Sequence, residues 1–594
     1  MPTTAASAEI VPDLLRARSQ AAPDSTALTV EGDRLITFGA WDRRSDAAAR
    51  GLVSKGVTRG DVVALVFDNA RWDDYAVSYL AVHKAAATAV PLAPGITGPD
   101  LGRILAHCSA VAVVSPPDLA PPAAVLAGHA DGPALWVASP SELEDGQPDG
   151  PFQRRLAGAD LAEIVYTSGT TGRPKGVACS HASIVVHDGP AEDEGAVVTL
   201  LHAFPVGTNA SQEVLRITLR RPDRVAMAMT RFDPERCCAL VEAYRVGRLQ
   251  MVPSMAQLLI ASGAWRDRDM SSVEVVILSS APTPPALLAG LAKALPRARL
   301  ANAYALTESG TARTLNPDAL SSPDSVGRPV GRTELQITDG DGRPVPSGQP
   351  GEVLLRRPGA PHRQYFRDPA ATAAAFVGGW LRTGDVGWVD DGGALHLVDR
   401  SKDVIICGGL NVSSVEVENV LYDHPAVVEV AVVGVPHEVL GQDVAAAVVV
   451  SRPTEVRELQ TFARQRLAEH QTPHRIVFVD RLPRTESGKI RKDEVAAALA
   501  AVSPGAGSYE APENPEQKAI AGIWEEILGV SPVGIHDDFF ELGGHSLAAT
   551  QVLGRVEDAV GVELPLSSLF EHPTVAELAS AVAAQRDTPG GGRL

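Results

Sequence analysis

Short apolar runs alternate with helix-like stretches through most of the chain. Val63-Ala-Leu-Val-Phe67, Ile164-Val-Tyr166 and Val275-Val-Ile-Leu278 are apolar or aromatic at every position. Runs this short and continuous suit strands covered on both faces, with helices between them. They predict an α/β architecture with a large N-terminal lobe over residues 1–399. Two further runs, Val427-Val-Glu-Val-Ala-Val-Val433 and Val444-Ala-Ala-Ala-Val-Val-Val450, predict strands of a small α/β lobe over 400–500. At 501–515 the texture turns to Gly, Pro and Ser and reads as a linker. Beyond it Ile520, Ile523, Trp524, Ile527 and Leu528 form the apolar stripe of an amphipathic helix. Thr574 and Glu577 have the spacing of a capping box, and Val575, Leu578 and Val582 continue an apolar face. These features predict an all-α four-helix unit over 516–586, followed by a disordered tail at 587–594.

Composition narrows the class. The chain has 594 residues, 45% hydrophobic and 21% charged, which is ordinary for a globular protein with several cores. Its net charge of −19 argues against binding nucleic acid or an anionic membrane across the whole surface, and leaves room only for a local basic patch. Five cysteines at 108, 179, 237, 238 and 407 form no Cys-x-x-Cys pair, and no His cluster has metal spacing, so reduced thiols are expected. The N-terminus lacks a signal-peptide pattern and no apolar run approaches the length of a membrane span. A cytoplasmic protein is expected, with no nucleic-acid or membrane partner.

Candidate chemistry begins at residues 166–176, Tyr-Thr-Ser-Gly-Thr-Thr-Gly-Arg-Pro-Lys-Gly. Thr167, Ser168, Thr170 and Thr171 offer hydroxyls, Gly169 and Gly172 let the backbone approach a ligand, and Lys175 adds a cation. The loop follows a predicted strand, a sensible place for a ligand in an α/β fold. Its spacing differs from the Gly-x-x-x-x-Gly-Lys-Ser/Thr phosphate loop.

The whole string resembles the signature of the adenylate-forming superfamily, which includes acyl-CoA synthetases, luciferases and the adenylation domains of nonribosomal peptide synthetases. Further strings follow in that family's order. Asn302-Ala-Tyr-Ala-Leu-Thr-Glu308 resembles its Tyr-Gly-x-Thr-Glu element, with Ala305 in place of the usual glycine. The resemblance implies that Tyr304 packs on adenine, that Thr307 contacts phosphate and that Glu308 binds Mg²⁺, and it adds Asn302 to the ATP site. Arg382-Thr-Gly-Asp385 resembles the element whose aspartate holds the ribose hydroxyls. Asp399-Arg-Ser-Lys-Asp-Val-Ile-Ile-Cys-Gly-Gly409 resembles the junction between lobes. There Arg400 is implied to contact ribose, Lys402 to be the hinge, and Gly408 and Gly409 to line the path of an incoming thiol. Pro483-Arg-Thr-Glu-Ser-Gly-Lys489 resembles the last motif, whose lysine neutralises charge as a carboxylate attacks the α-phosphate. The implied catalytic set is Lys489, Thr307, Glu308 and Lys175.

Asp537-Asp-Phe-Phe-Glu-Leu-Gly-Gly-His-Ser-Leu547 resembles the attachment site of peptidyl carrier domains. Ser546 is thereby implied to bear 4′-phosphopantetheine, added by a phosphopantetheinyl transferase. Gly543 and Gly544 are expected to keep its approach open, and Ser546 to cap the helix that follows. No histidine and carboxylate are arranged around Ser546 as in a hydrolase.

Together these resemblances imply an adenylation–carrier didomain. It would use ATP and Mg²⁺ to make an acyl-adenylate and pass the acyl group to its own carrier arm. Downstream, a condensation, ketosynthase or acyltransferase protein would take the acyl group in trans, because no such segment is recognised here. The acid is less legible. Family members that take α-amino acids place an aspartate in a Phe-Asp-x-Ser stretch, and the comparable region here is Leu201 to Glu213. One alignment sets Asn209 against that aspartate; another sets His202-Ala-Phe204-Pro against the His-Asn-Tyr-Pro of aryl-acid enzymes. Neither supplies a carboxylate for a buried ammonium. An aryl acid, a β-amino acid or another small carboxylic acid without a standard α-amino group is therefore expected. Glu213 reads either as a ligand for a distal amine or, preferably, as an exposed helix residue. Ser279, Ala303 and Thr311 are further pocket residues by resemblance. The competing readings are an acyl-CoA ligase with a vestigial carrier, an α-amino-acid module, and a carrier platform with a dead adenylation half.

Overall fold

The computed structural model describes residues 10–122, 125, 135–148, 150–167, 175–186, 197–437, 440–485, 488–501, 509–539, 542, 544, 546–565 and 567–586. The chain divides into two compact units. One comprises Met1–Ser401 with Arg484–Lys489; the other comprises Lys402–Pro483 with Ile490–Leu594.

Three sheets build the first unit. The predicted run at Val63 forms the strand Val62–Val66, buried at all five positions. Each such aliphatic side chain contributes roughly 1.5–3 kcal/mol on burial. It lies in a seven-stranded sheet ordered Gln364–Tyr365, Lys175–Ser180, Leu161–Thr167, Thr88–Leu92, Val62–Val66, Ala110–Val114, Trp136–Ala138. Leu161–Thr167 through Trp136–Ala138 run parallel, and Lys175–Ser180 and Gln364–Tyr365 add antiparallel edges. A nine-stranded sheet places Val198–His202, Arg248–Met251, Val275–Ser279 and Arg299–Tyr304 side by side and parallel. Helices cover these sheets, as the continuous apolar runs require. Trp41, Trp72, Tyr75 and Tyr79 are among the largest fully buried side chains. The third sheet was not expected. It is antiparallel, built from Glu334–Thr338, Gly351–Arg356, Trp380–Val389, Phe376–Val377 and Leu395–Arg400.

In the second unit the two predicted strands are Val427–His437 and Gly441–Val450, paired antiparallel. Ile405–Cys407 and Leu410–Val412 form a hairpin whose turn is Gly408 and Gly409, at φ 58° and 84°. Two successive positive φ values are what a two-residue hairpin turn demands, and glycine supplies them without steric cost. Helices Pro515–Leu528, Ser546–Val560, Ser567–Glu571 and Val575–Arg586 pack around Trp524 and Phe539. Both predicted capping bonds at Thr574 and Glu577 are present at 3.2 Å. The expected linker at 501–515 meets a helix at each end. Helix Lys492–Ala501 takes its first residue and helix Pro515–Leu528 its last, while Ile535 donates to the Glu510 carbonyl at 2.9 Å. Residues 502–508 and the tail at 587–594 lie outside the described residues.

Candidate active site

Several expected site residues stand at the carboxyl ends of parallel strands, where open α/β sheets bind ligands. His202, Ser279 and Tyr304 each end one. The Tyr304 hydroxyl donates a 2.6 Å hydrogen bond to Asp385 Oδ2. Asp385 is in register with Arg400 across neighbouring strands, which sets Arg400 Nε 3.2 Å from Asp385 Oδ1. Both oxygens of a buried carboxylate are thus engaged. Burial raises the Asp385 pKa, while Arg400, Tyr304 and Lys489 oppose that rise. The Tyr304 hydroxyl is held well above its ordinary pKa by burial and by Asp385.

Lys489 belongs to this unit, in the short return of Arg484–Lys489. Thr485 N–H donates to the Lys489 carbonyl at 2.8 Å, and Gly488 turns at φ 82°. The residue keeps an exposed face, so its ammonium sits at a crowded rim, not in a sealed interior. Its pKa is lowered by crowding and then by Arg400, and Glu308 and Asp385 pull it back up.

Thr307 and Glu308 lie in the loop after Tyr304. Arg363 Nη1 donates to the Thr307 carbonyl, and the Tyr365 hydroxyl donates to Glu308 Oε1 at 3.0 Å. The Tyr365 ring also receives Lys175 Nζ, 5.0 Å from its centroid. Pairing of Gln364–Tyr365 with Lys175–Ser180 makes that meeting possible. Thr167 and Lys175 are register partners at the two ends of 168–174. Ser168, Gly169, Thr170, Thr171 and Gly172 lie outside the described residues. Asn302 is buried and accepts a 3.5 Å hydrogen bond from Thr283.

Among the described residues no group of three His, Cys, Asp or Glu could hold a metal by itself. Glu308 has one hydroxyl partner and lone pairs to spare. Mg²⁺ takes one or two carboxylates together with phosphate oxygens and waters, so Glu308 fits Mg²⁺ delivered with ATP.

The expected acyl-pocket residues divide. His202 and Phe204 belong to the core: the His202 ring meets Trp72 at 4.9 Å, and its Nδ1 accepts from Phe204 N–H at 3.2 Å. Burial drives the His202 pKa down to about 3, so the imidazole is neutral. Ser279 and Ala303 are register neighbours, and Ser280 follows at φ 75°, a left-handed conformation uncommon for serine. Asn209 opens the helix Asn209–Arg220, capped by Thr208. Its Oδ1 lies 3.5 Å from Arg363 Nη1. Thr311 and Arg363 line one small cavity of about 30 Å³. Glu213 is not an exposed helix residue. It is half-buried, 3.6–3.7 Å from Arg216, Arg220 and Arg313, and these arginines with Arg363 hold its pKa low against the opposing effect of burial. Arg363 and Tyr365 were not foreseen. Their only local signal is a polar and aromatic stretch between Pro361 and Pro369.

In the second unit, Ser546 is the first residue of the 15-residue helix Ser546–Val560, one place inside the expected cap. The positive end of such a helix suits a phosphodiester, so the position fits a phosphopantetheine arm. Gly544 has a packing role: a side-chain carbon there would run into the Phe539 ring and its carbonyl. Phe540, Glu541, Gly543 and His545 lie outside the described residues. Lys402 is the first residue of this unit, 3.8 Å from Asp403.

Three family models match in order. They are AMP-binding enzyme over 15–365, AMP-binding enzyme C-terminal domain over 416–489, and phosphopantetheine attachment site over 518–582. Tyrocidine synthase 3 of Brevibacillus parabrevis is 30% identical over 601 residues, covering 96% of this chain and only 9% of that much longer protein. A feruloyl-CoA synthase of an Amycolatopsis species is 34% identical over 496 residues, covering 80% of this chain and 96% of that protein. ATP-bound MatB from Rhodopseudomonas palustris superimposes with a TM-score of 0.74 at 26% identity, over 82% of this chain and 99% of that one. No described helix is long and apolar enough to cross a membrane.

Proposed function

We infer the function from one premise: the chain belongs to the AMP-binding enzyme family, as an adenylate-forming ligase with a phosphopantetheine carrier domain behind it. Its cofactors are ATP with Mg²⁺ and 4′-phosphopantetheine. From that premise we propose that it joins a small carboxylic acid without a standard α-amino group to AMP and passes the acyl group to the arm on Ser546. In this reading it is a loading module of natural-product biosynthesis, divided at 399/400, 500/501 and 515/516.

One observation carries the reading: Asp385, Arg400, Glu308 and Lys489 gather with Tyr304, which ends a parallel strand. Asp385 is placed to exchange its Tyr304 and Arg400 partners for ribose hydroxyls. Glu308, steadied by Tyr365, would hold Mg²⁺, which would neutralise phosphate charge. Lys175 and Thr307 contact phosphate oxygens. Lys489 neutralises charge as the acid's oxygen attacks the α-phosphorus and pyrophosphate leaves. The arm supplies the thiol that receives the acyl group, and Lys402 is the pivot between the two half-reactions. Asn209 in place of a carboxylate supports an acid without an α-ammonium group.

A carrier domain calls for a phosphopantetheinyl transferase and for a downstream acceptor. We assign the latter to a condensation, ketosynthase or acyltransferase protein in trans. A cytoplasmic location is supported by five unpaired, buried cysteines. The likeness to feruloyl-CoA synthase over nearly that protein's full length favours a second reading, release of acyl-CoA. Intact mass spectrometry decides. The holo-protein, given ATP and a panel of acids, gains an acyl mass that Ser546→Ala abolishes. Acyl-CoA formed from free CoA with no mass gain on the holo-protein supports the second reading.

A further inference from the structure

Arg363 is 3% exposed, and among the described residues no carboxylate pairs with it. One edge of its guanidinium is used: Nη1 serves the Thr307 carbonyl and Asn209 Oδ1. On the other edge the buried Nε has no hydrogen-bond partner. Leaving a buried guanidinium edge unmatched is costly, so such an edge marks a place for an acceptor. The surroundings do not supply one. Glu213, which feels the charge of Arg363, is shared by Arg216, Arg220 and Arg313. Arg216 also pairs with buried Glu163. Among the described residues Glu308, which lines the cavity with Arg363, takes the Tyr365 hydroxyl.

Arg363 also lines a cavity. Nε faces Gly310, where a side-chain carbon would sit 3.3 Å away and crowd it. Gly310, Thr311 and Arg363 line the same cavity. Glu308, the residue assigned to Mg²⁺ at the reacting end, lines it too, so the interval to that end is short.

We propose, resting on the adenylation reading above, that the acid carries a second carboxylate and that Arg363 binds it through the Nε edge as a fork. The substrate class is a short-chain dicarboxylic acid. The residue that faces Asn209 is then a cation, which repels an ammonium group and narrows the small acids above to anionic ones. The distal carboxylate stays ionised and unreacted; only the other carboxylate attacks the α-phosphorus, releasing pyrophosphate.

The test is ATP–pyrophosphate exchange by the holo-protein with malonate, succinate and glutarate against propanoate, benzoate, β-alanine and α-amino acids. Binding of malonate and succinate is followed by calorimetry beside it. Wild type is expected to favour a dicarboxylate. Arg363→Met is expected to cut the ratio of dicarboxylate to monocarboxylate kcat/KM by about tenfold or more, the scale of a charge-assisted hydrogen bond, with Arg363→Lys between. A merely structural role lowers both substrates together and leaves the ratio unchanged, which overturns the proposal. A rise in the KM for ATP alone overturns it too, by giving the Nε edge to a nucleotide phosphate. Exchange with monocarboxylates or amino acids but not dicarboxylates refutes this inference and spares the adenylation reading. Exchange with no acid refutes the adenylation reading, and absence of dicarboxylate binding then refutes this one as well.

Discussion

Tyr304 and Asp385 share a 2.6 Å hydrogen bond between the end of a parallel strand and a strand of the antiparallel sheet. The carboxylate assigned to ribose is thus already occupied before nucleotide arrives. Asp385→Asn keeps the size but removes the charge and two of the acceptor sites. It is expected to raise the KM for ATP about tenfold or more in pyrophosphate exchange. Tyr304→Phe keeps the ring and vacates one Asp385 oxygen. It is expected to leave the KM for ATP unchanged or lower, because a ribose hydroxyl no longer competes with the phenol. An increase as large as that of Asp385→Asn shows that the phenol itself binds nucleotide.

Tyr365 holds Glu308 from the side that faces Lys175. Tyr365→Phe removes one neutral-to-charged hydrogen bond, worth about 1.5–3 kcal/mol at most. The expected effect is a higher Mg²⁺ requirement, with kcat recovered at saturating Mg²⁺. Glu308→Gln is not rescued by Mg²⁺. A Tyr365→Phe enzyme with unchanged Mg²⁺ dependence gives Tyr365 no part in positioning Glu308.

Strands were legible where both faces are buried, because continuity alone marks them: Val62–Val66 has no exposed position. The antiparallel sheet was not, since Trp380–Val389 mixes buried and exposed residues around Gly384 and Gly387, and no apolar run survives. Asp385 was found only through its motif. Arg363 and Tyr365 act through pairing of Tyr365 with Val177, a contact far along the chain that no local pattern encodes. Glu213 was legible and misjudged. Arg216 and Arg220 stand three and seven residues on, on the same helix face, and that spacing already announced ion pairs.

Lys489 has a pKa below that of a free lysine. A lowered pKa means that the ammonium is complete below it and lost as pH rises through it. The alkaline limb of adenylate formation is therefore expected at lower pH than 10.5, the value for an unperturbed lysine. Removing the neighbouring cation with Arg400→Gln moves that limb upward, whatever it costs in rate. Lys489→Ala is expected to abolish adenylate formation while still transferring the acyl group from supplied acyl-adenylate. Pyrophosphate exchange across pH checks the first, and single-turnover loading the second.

Trp524 is fully buried at 0% exposure and meets Phe539 edge-on at 5.1 Å. Truncation of such a residue costs about 3–5 kcal/mol. A unit of this size has little more than that to lose. Trp524→Ala is expected to unfold the carrier helices and stop arm attachment at Ser546, while pyrophosphate exchange continues. Loss of exchange as well makes the carrier core essential to the adenylation half.

Arg457, on helix Val456–Arg464, forms a fork with Glu577 of the last carrier helix, at 2.8 and 2.7 Å. Arg457 and then Thr574 hold the Glu577 pKa down to about 2. A depressed carboxylate pKa contributes stability that is complete above the unfolded value, about 4.3, and lost as pH falls through the folded one. The contact is thus expected to persist at pH 4 and fail toward pH 2. Both partners are part-exposed, so salt weakens it. Arg457→Ala is expected to raise the Glu577 pKa, though not fully, because the capping bonds from Thr574 remain. Carbon-detected NMR titration of the Glu577 carboxylate reads this directly. An unchanged titration curve in Arg457→Ala shows that the carrier does not rest on this helix in solution.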